Sequence, residues 1–253
     1  MTSNSFECYS NSLLSNKTAL ITGAGKGIGK ACVEAFIHAG ASVIAVARTA
    51  SDLDELSSRF GDRLIPWVMD ATSDAFLERI AQHPQIDVLI NNLGTNKPQS
   101  LLDLTDEALD TMLDLNLRTL FRVTRAVVRS MQDRNIGGSI VNIGSQMGHI
   151  GSPNRSVYCA TKHGVEGLTK ALGVELAPLG IRVNSIAPTF IETPMTAPML
   201  NDPEFNQFVL DRIPLGRVGQ VEEVANAAVF LASRASSLTT GSCLKVDGGW
   251  TAQ

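Results

Sequence analysis

Residues Thr18 to Gly29 read TALITGAGKGIG, a short apolar run followed by a turn that contains four glycines. Helical periodicity begins at Ile28, continues to Ala39 and stops at Gly40. The pattern therefore predicts a strand, a glycine turn and a helix, in that order. Backbone N–H groups at such a turn, together with the positive end of the helix dipole, can bind a pyrophosphate.

The same alternation continues to the end of the chain. Further strands are predicted at Ser42–Ala47, Leu64–Met69, Val88–Asn91, Ser139–Ile143, Arg182–Ala187 and Cys243–Val246. Helices are predicted at Asp52–Phe60, Asp74–Gln82, Asp106–Met131, from the Tyr158 region to Leu176, and at Val221–Ala232. The strands are almost continuously apolar, which is typical of a parallel sheet buried on both faces.

This pattern predicts an α/β fold, a single Rossmann-like doubly wound domain with a seven-stranded parallel sheet flanked by helices. The domain is expected to cover residues 16–253, and the polar residues 1–15 are expected to be a flexible tail. A ligand of such a sheet lies beyond the carboxyl ends of the strands.

Composition limits the classes of partner. The 253 residues are 44% hydrophobic and carry a net charge of −4, so no basic field is available for nucleic acid or anionic lipid. No apolar run has the length of a membrane span. The four cysteines and four histidines lie at no metal-ligand spacing along the chain. We therefore expect a metal-free cytoplasmic protein with a small-molecule partner.

Tyr158 and Lys162 lie four residues apart in a predicted helix, so both side chains project from one face. A neighbouring ammonium favours the phenolate and lowers the pKa of a tyrosine. The pair therefore predicts a proton-exchanging tyrosine activated by Lys162. By itself, the pair is more often a half-buried tyrosine beside a lysine that extends to solvent. Ser145, Asn116 and the glycine turn favour the functional interpretation.

The end of the second strand indicates the cofactor. A carboxylate in that region of a dinucleotide-binding fold binds the ribose 2′-hydroxyl and repels a 2′-phosphate. Here the sequence is Val46-Ala47-Arg48, without a carboxylate, and Lys26 in the glycine turn supplies a second cation. These two cations predict NADP(H) rather than NAD(H). The alternative is that Arg48 only solvates the start of the next helix.

From Lys17 to Trp250 the chain resembles the short-chain dehydrogenase/reductases. The resemblance rests on Thr22–Gly29, Asp70, Asn91–Gly94, Asn116, Ser145, Tyr158 with Lys162, Asn184–Thr193 and Val246–Gly249. Two positions depart from the family pattern: Leu93 replaces a small residue, and Thr189 follows Pro188 where glycine is usual. Both departures are expected to change the shape of the pocket.

The resemblance implies a role for each matching residue. Tyr158 is the general acid in reduction, Ser145 holds the carbonyl oxygen, Lys162 also holds the nicotinamide ribose, and Asn116 fixes a water behind Lys162. The remaining cofactor contacts implied by the turn and the family are Gly23, Gly27, Ile28, Gly29, Asp70, Ala71, Asn91, Gly94, Pro188, Ile191 and Thr193.

A closer resemblance to the L-xylulose/dicarbonyl reductase branch implies a small carbonyl or sugar substrate. Arg155 stands where that branch has a histidine near the substrate, and an arginine there either binds a carboxylate or points to solvent. Gln146, His149, Arg155 and Thr189 are the predicted substrate contacts. The family also implies a homotetramer.

Two other functions remain open. A 3-oxoacyl-(acyl-carrier-protein) reductase would share the fold and the cofactor, and the helical stripe Arg118, Arg122, Arg125 and Arg129 is where an acidic carrier could bind. The same stripe suits an ordinary solvated helix, because Asp114 lies four residues before Arg118. A non-catalytic NADP-binding module is less favoured, because the residues for catalysis are all present.

Overall fold

All strands of the sheet run parallel. The computed structural model describes residues 10–83 and 85–253. Within those residues the sheet has seven strands, as the apolar runs predicted, and their order is β3-β2-β1-β4-β5-β6-β7. The strands are β1 Thr18–Thr22, β2 Ser42–Ala47, β3 Leu64–Val68, β4 Val88–Asn91, β5 Gly138–Ile143, β6 Ile181–Pro188 and β7 Cys243–Val246.

Helices cover both faces of this sheet. They are α1 Gly27–His38, α2 Ser51–Phe60, α3 Asp74–Gln82, α4 Asp106–Leu113, α5 Thr119–Asp133, α6 Ser156–Glu175, α7 Ala197–Leu200, α8 Pro203–Leu210 and α9 Val221–Ala232. Among the described residues, no helix combines the length and the apolar character that a membrane span requires.

Strand β1 shows why its sequence is apolar throughout. Ala19 and Ile21 belong to a core on one face of the sheet, which includes Val33 of α1 and Val224 of α9. Leu20 belongs to a second core on the opposite face, with side chains from α3 and α5. Because successive strand residues point to opposite faces, a strand buried on both faces has no polar alternation.

The long helix predicted for Asp106–Met131 is interrupted. Residues Asp114–Arg118 form a π-helical turn between α4 and α5, and Asn116 is buried within it. A π-helical turn contains about one residue more than an α-helical turn, so the side chains of α5 are rotated about the helix axis relative to those of α4. Helical periodicity alone did not predict this break, because the apolar spacing on either side remains close to 3.6 residues.

The predicted tail differs from the structure at its described end. Leu14 is 1% exposed, and its backbone N–H donates to Ala39 O at 2.8 Å. Leu14 therefore packs against the end of α1, while residues 10–13 and 15 are exposed, and the boundary at residue 16 stays a prediction. The rest of the predicted tail, residues 1–9, lies outside the described residues.

Gly173 in α6 provides a test of this packing. A Cβ atom there would lie 2.5 Å from the backbone nitrogen of Gly241 in the turn before β7. A Cβ atom at Gly167, on the same helix, would meet nothing within 4 Å. We expect Gly173→Ala to lower the free energy of unfolding by about 1–3 kcal/mol through overpacking.

Gly167→Ala is the matched control, and we expect it to raise the free energy of unfolding by up to about 1 kcal/mol through helix propensity. Urea unfolding followed by circular dichroism measures both variants. If Gly173→Ala were as stable as Gly167→Ala, the close contact between α6 and the Gly241 turn would be wrong.

Candidate active site

The strand order reverses between β1 and β4, and a cleft opens at the carboxyl ends of the strands around this point. This main cleft has a volume of about 630 Å³. A smaller side cavity of about 300 Å³ adjoins it. The two share the lining residues Ser145, Tyr158, Thr189, Met195 and Thr196.

The glycine turn forms one wall of the main cleft. Gly23 and Gly27 have φ angles of 64° and 53°, in the left-handed region that favours glycine. A Cβ atom at Gly29 would lie 2.0 Å from the carbonyl oxygen of Gly23. These glycines therefore bring the N-terminus of α1 close to β1, so that its free N–H groups face the cleft.

Asn92 holds this turn against β4, a role that the sequence analysis did not assign to it. Its Nδ2 donates to the backbone oxygens of Thr22 and Gly23, both at 3.1 Å. The Thr22 hydroxyl in turn accepts from the backbone nitrogens of Asn92 and Leu93. The two strands at the reversal point are thus joined by side-chain hydrogen bonds as well as by the backbone hydrogen bonds of the sheet.

Asn91 differs from its expected role at the cofactor riboses. Its side chain is buried and donates to Thr124 Oγ1 and Asn142 Oδ1, both at 2.9 Å. Because residues alternate along a strand, Asn91 points into the protein and its neighbour Asn92 faces the cleft. Asn91 and Gly29 do not line the main cleft, and both lie directly behind it.

The other residues predicted to bind the cofactor do line the main cleft. They are Gly23, Lys26, Gly27, Ile28, Arg48, Asp70, Ala71, Gly94, Tyr158, Lys162, Pro188, Ile191 and Thr193. Leu93 also lines it, as expected for a residue that narrows the floor. Thr193 reaches across to the glycine turn, since a Cβ atom at Gly27 would lie 3.3 Å from its Cγ2.

A carboxylate that the sequence analysis missed lies at the second-strand end of the cleft. Asp52, in the first turn of α2, forms an ion pair with Lys26 at 3.2 Å. Arg48 is exposed and forms no ion pair within the described residues. Asp70 accepts from the backbone and hydroxyl of Thr72. This end of the cleft is therefore lined by two cations, one of them paired with Asp52, and by the Asp70 carboxylate.

Tyr158 and Ser145 lie at the junction of the two spaces. Burial raises the pKa of Tyr158, and hydrogen bonding with Ser145 followed by the charge of Arg155 partly opposes this shift. The expected lowering by Lys162 is therefore wrong for this arrangement, because loss of hydration outweighs the neighbouring charges. The phenol remains protonated at neutral pH.

Lys162 lies one helical turn after Tyr158 and is buried. Its Nζ donates to Ile143 O at 2.9 Å and lies 5.7 Å from the centroid of the Tyr158 ring. Burial lowers the pKa of Lys162 to about 8, although the Glu166 carboxylate favours the charged form. The ammonium is thus directed toward the cleft wall, below the tyrosine ring.

Asn116 uses the π-helical turn to reach this group. Its Oδ1 accepts from Thr95 N at 2.7 Å, while its Nδ2 donates to Thr95 O and Thr161 Oγ1. The side-chain amide is therefore committed to protein partners.

The side cavity contains three of the four predicted substrate contacts. Gln146, Arg155 and Thr189 line it, next to Ser145 and Tyr158. His149 does not line either space, so the prediction for this residue is wrong. The short helical turn Gln146–Gly148 ends at His149 and carries its ring away from the cavity, toward β7.

His149 instead meets Cys243 and Glu166. Its Nε2 lies 3.2 Å from Cys243 Sγ and 3.9 Å from Glu166 Oε1. The three donor atoms all lie within 4.8 Å of one another, which is the spacing of potential metal ligands. The sequence analysis predicted no metal because these residues are far apart along the chain.

Three observations indicate that the main cleft can accommodate a dinucleotide cofactor. It is long enough to connect the glycine turn with Tyr158, it carries cations near β2, and its glycines leave no Cβ atoms over the helix N-terminus. No comparable phosphate-binding turn lies at the side cavity, which is lined by side chains from the loops after β4, β5 and β6.

Comparison with known proteins agrees with this geometry. A family model described as enoyl-(acyl carrier protein) reductase matches residues 23–251. L-xylulose reductase from Bos taurus is 43% identical, covering 94% of this chain and 98% of that protein. A 3-oxoacyl-(acyl-carrier-protein) reductase from Thermotoga maritima is 42% identical, covering 93% and 98%.

Among solved structures, a gluconate 5-dehydrogenase from Burkholderia cenocepacia in complex with NADP and tartrate has a TM-score of 0.90 and 34% sequence identity. The match covers 96% of this chain and 98% of that chain. These relatives are reductases and dehydrogenases that act on CH–OH and C=O groups. With its parallel sheet, its glycine turn and matches over nearly its full length, the chain belongs to the short-chain dehydrogenase/reductase family.

Proposed function

We propose that this enzyme uses NADPH to reduce a small carbonyl compound of the dicarbonyl, ketose or keto acid type. The observation that carries the proposal is the shared position of Ser145 and Tyr158, which line both the main cleft and the side cavity. A cofactor in the cleft and a substrate in the cavity would therefore meet beside these two hydroxyl groups. Relatives named for L-xylulose and gluconate support a substrate of this size.

The bound cofactor supplies the hydride. Reduction leaves negative charge on the carbonyl oxygen, which must receive hydrogen bonds and a proton. The Ser145 hydroxyl holds that oxygen, and the Tyr158 hydroxyl delivers the proton. Since burial raises the pKa of Tyr158, the phenol carries its proton at neutral pH, which is the state that reduction needs.

Lys162 and Asn116 complete this proton-handling group. The buried Lys162 ammonium holds the nicotinamide ribose and compensates the charge that Tyr158 acquires when it gives up its proton. Asn116 holds the Thr95 backbone and Thr161 in place beside Lys162. The π-helical turn around Asn116 leaves backbone groups free for a water that returns protons from solvent.

The preference for NADPH rests on Arg48. Its guanidinium is exposed beside the cleft, and no ion pair within the described residues competes for it. Lys26 contributes less than the sequence suggested, because Asp52 already neutralises it at 3.2 Å. Arg48 is therefore the cation with no ion pair in the described residues at this end of the cleft, and a guanidinium favours a 2′-phosphate over a 2′-hydroxyl.

Reduction of a carrier-bound 3-oxoacyl thioester is the second candidate, and the 42% identity to a reductase of that name supports it. Three arginines of the proposed docking stripe have contacts within the chain. Arg118 pairs with Asp114, Arg122 pairs with Asp74, and Arg125 lies over the Phe121 ring. These contacts favour an ordinary solvated helix.

A cytoplasmic location and a homotetramer stay predictions.

We expect Tyr158→Phe to reduce NADPH-dependent turnover about 100- to 10,000-fold, the usual contribution of a general acid, while NADPH still binds. The measurement is NADPH oxidation at 340 nm with diacetyl, L-xylulose, a keto acid and acetoacetyl thioester, compared with NADPH binding by fluorescence. Wild-type turnover of the thioester alone would favour the second candidate. Near wild-type activity of Tyr158→Phe would contradict the role of Tyr158.

Two substitutions with opposite effects test the cofactor preference. Arg48→Ala removes the cation, and we expect it to weaken NADPH binding roughly 10- to 100-fold, the range for a hydrogen bond to a charged group. Asp52→Asn releases Lys26, so NADPH binding is expected to strengthen. NADH binding, measured in parallel by calorimetry, is the control. Equal use of NADH and NADPH by the wild-type enzyme would contradict the interpretation of Arg48.

A further inference from the structure

Arg155 is a buried cation in the wall of the side cavity. It immediately precedes α6, and its backbone oxygen accepts a hydrogen bond from Cys159 N at 2.8 Å. Its exposed fraction is 9%. The side chain thus lies inside the protein, on the same helical turn as Tyr158 and next to the hydroxyl groups that would hold a carbonyl.

In residues 10–83 and 85–253, no anionic group compensates this cation. Within the described residues Arg155 forms no ion pair, its Nε has no hydrogen-bond partner, and its Nη2 contacts only Met199 Sδ at 3.7 Å. Burial lowers the pKa of Arg155, opposed by Tyr158 and Cys159 rather than by a carboxylate. A guanidinium stays charged in proteins, so this burial costs free energy that an anionic ligand would recover.

Three neutral polar atoms of residues that line the side cavity also lack hydrogen-bond partners. Six buried side-chain polar atoms in the described residues lack a hydrogen bond, and four of them belong to residues lining this cavity. Besides Arg155 Nε, these are Asn96 Oδ1, Gln146 Oε1 and Thr189 Oγ1. The two amide oxygens only accept, so they require donors such as hydroxyl groups.

We propose that Arg155 binds the carboxylate of the substrate, and that the substrate is a hydroxylated keto acid whose hydroxyl groups donate to Asn96 and Gln146. This inference rests on the proposed function, and selects the acid among its three substrate types. Planar bidentate contact is the geometry that arginine offers to a carboxylate. Arg155 is then a specificity-determining residue rather than a catalytic one.

Other anions and larger substrates fit this cavity less well. Among the residues that the structure describes, Arg155 is the only Lys or Arg side chain lining it, which suits the single charge of a carboxylate better than a phosphate dianion. An acyl thioester would place a hydrocarbon chain against the unpaired polar atoms, which would stay unsatisfied. A volume of about 300 Å³ lies at the lower end of the range for ligand pockets, as a small acid requires.

Pairs of acids and neutral partners with the same skeleton test the proposal. The pairs are 5-keto-D-gluconate with L-sorbose, pyruvate with diacetyl, and acetoacetate with acetylacetone. The compounds of the last two pairs have no stereocentres. We expect wild-type kcat/KM with NADPH to favour the acid in at least one pair. Arg155→Leu should then lower the acid-to-neutral ratio by at least about 30-fold, with the loss mainly in KM.

Arg155→Lys keeps the positive charge and should restore part of the acid-to-neutral ratio of kcat/KM. The matched control is Arg234→Leu, on an exposed turn after α9, which should leave that ratio unchanged. Thermal stabilisation of the NADP complex by D-gluconate but not by D-glucitol gives a readout without turnover. Preference for the neutral partner in all three pairs, or an unchanged ratio in Arg155→Leu, would overturn the proposal. Absence of any turnover with NADPH would instead reject the proposed function.

A different observation points to a metal site outside the cleft. Glu166 is 5% exposed, and its Oε2 accepts from Ser185 Oγ at 2.6 Å. Its other oxygen, Oε1, is buried without a hydrogen-bond partner. The nitrogen of His149 and the sulfur of Cys243 lie beside that oxygen. The Cys243 thiol interacts with the Glu166 carboxylate, and a cation that displaced the thiol proton would satisfy this buried carboxylate more fully.

The geometry points to a zinc-binding site formed by His149, Glu166 and Cys243. Imidazole nitrogen, carboxylate oxygen and thiolate sulfur are the ligands of zinc, and three protein ligands leave one position for water. A thiolate disfavours magnesium and calcium. Because a thiol must lose its proton to bind zinc, binding would release that proton.

Cobalt titration of chelator-treated protein tests this site. We expect one equivalent of CoCl₂ to produce thiolate-to-cobalt charge-transfer absorption, and ZnCl₂ to remove it by displacement. Cys243→Ala and His149→Ala should abolish the absorption. Cys159→Ala, another partly buried free cysteine, should retain it. Absence of the absorption in the wild-type protein, or its persistence in Cys243→Ala, would overturn the proposal.

Discussion

The tie between β1 and β4 is the constraint on which the site depends. These strands are neighbours at the point where the strand order reverses, so helices leave them toward opposite faces and a cleft must open. The Asn92 amide and the Thr22 hydroxyl join the two strand ends at distances of 3.1 to 3.2 Å. They hold the glycine turn in the position where the N-terminus of α1 faces the cleft.

Loss of hydration dominates the chemistry at the other end of the cleft. Burial raises the pKa of Tyr158 and lowers that of Lys162 to about 8, and it leaves Arg155 charged without an anionic partner. All three groups lie on the first two turns of α6 or immediately before it. The same dry environment therefore keeps Tyr158 protonated. In our proposal it also makes the cavity beside Arg155 selective for an anion.

Particular residues show how far sequence reasoning reached. The seven strands and their parallel arrangement followed from continuous apolar runs, and most predicted cofactor residues do line the cleft. Asp52, Asn92 and the cluster of His149, Glu166 and Cys243 were missed, because each acts across elements that lie far apart along the chain. The lowering of the Tyr158 pKa was predicted wrongly, because spacing on a helix indicates which charges are near but not how much water is lost.

The sequence by itself determined the order of elements, the sheet and the set of residues at its carboxyl edge. These depend on local periodicity, on glycines that permit unusual backbone angles, and on the rule that parallel strands end at one edge. Only the tertiary structure decided which groups are buried together, which charges are paired, and which polar atoms have no partner. Those properties depend on packing between distant segments, and packing sets both hydration and distance.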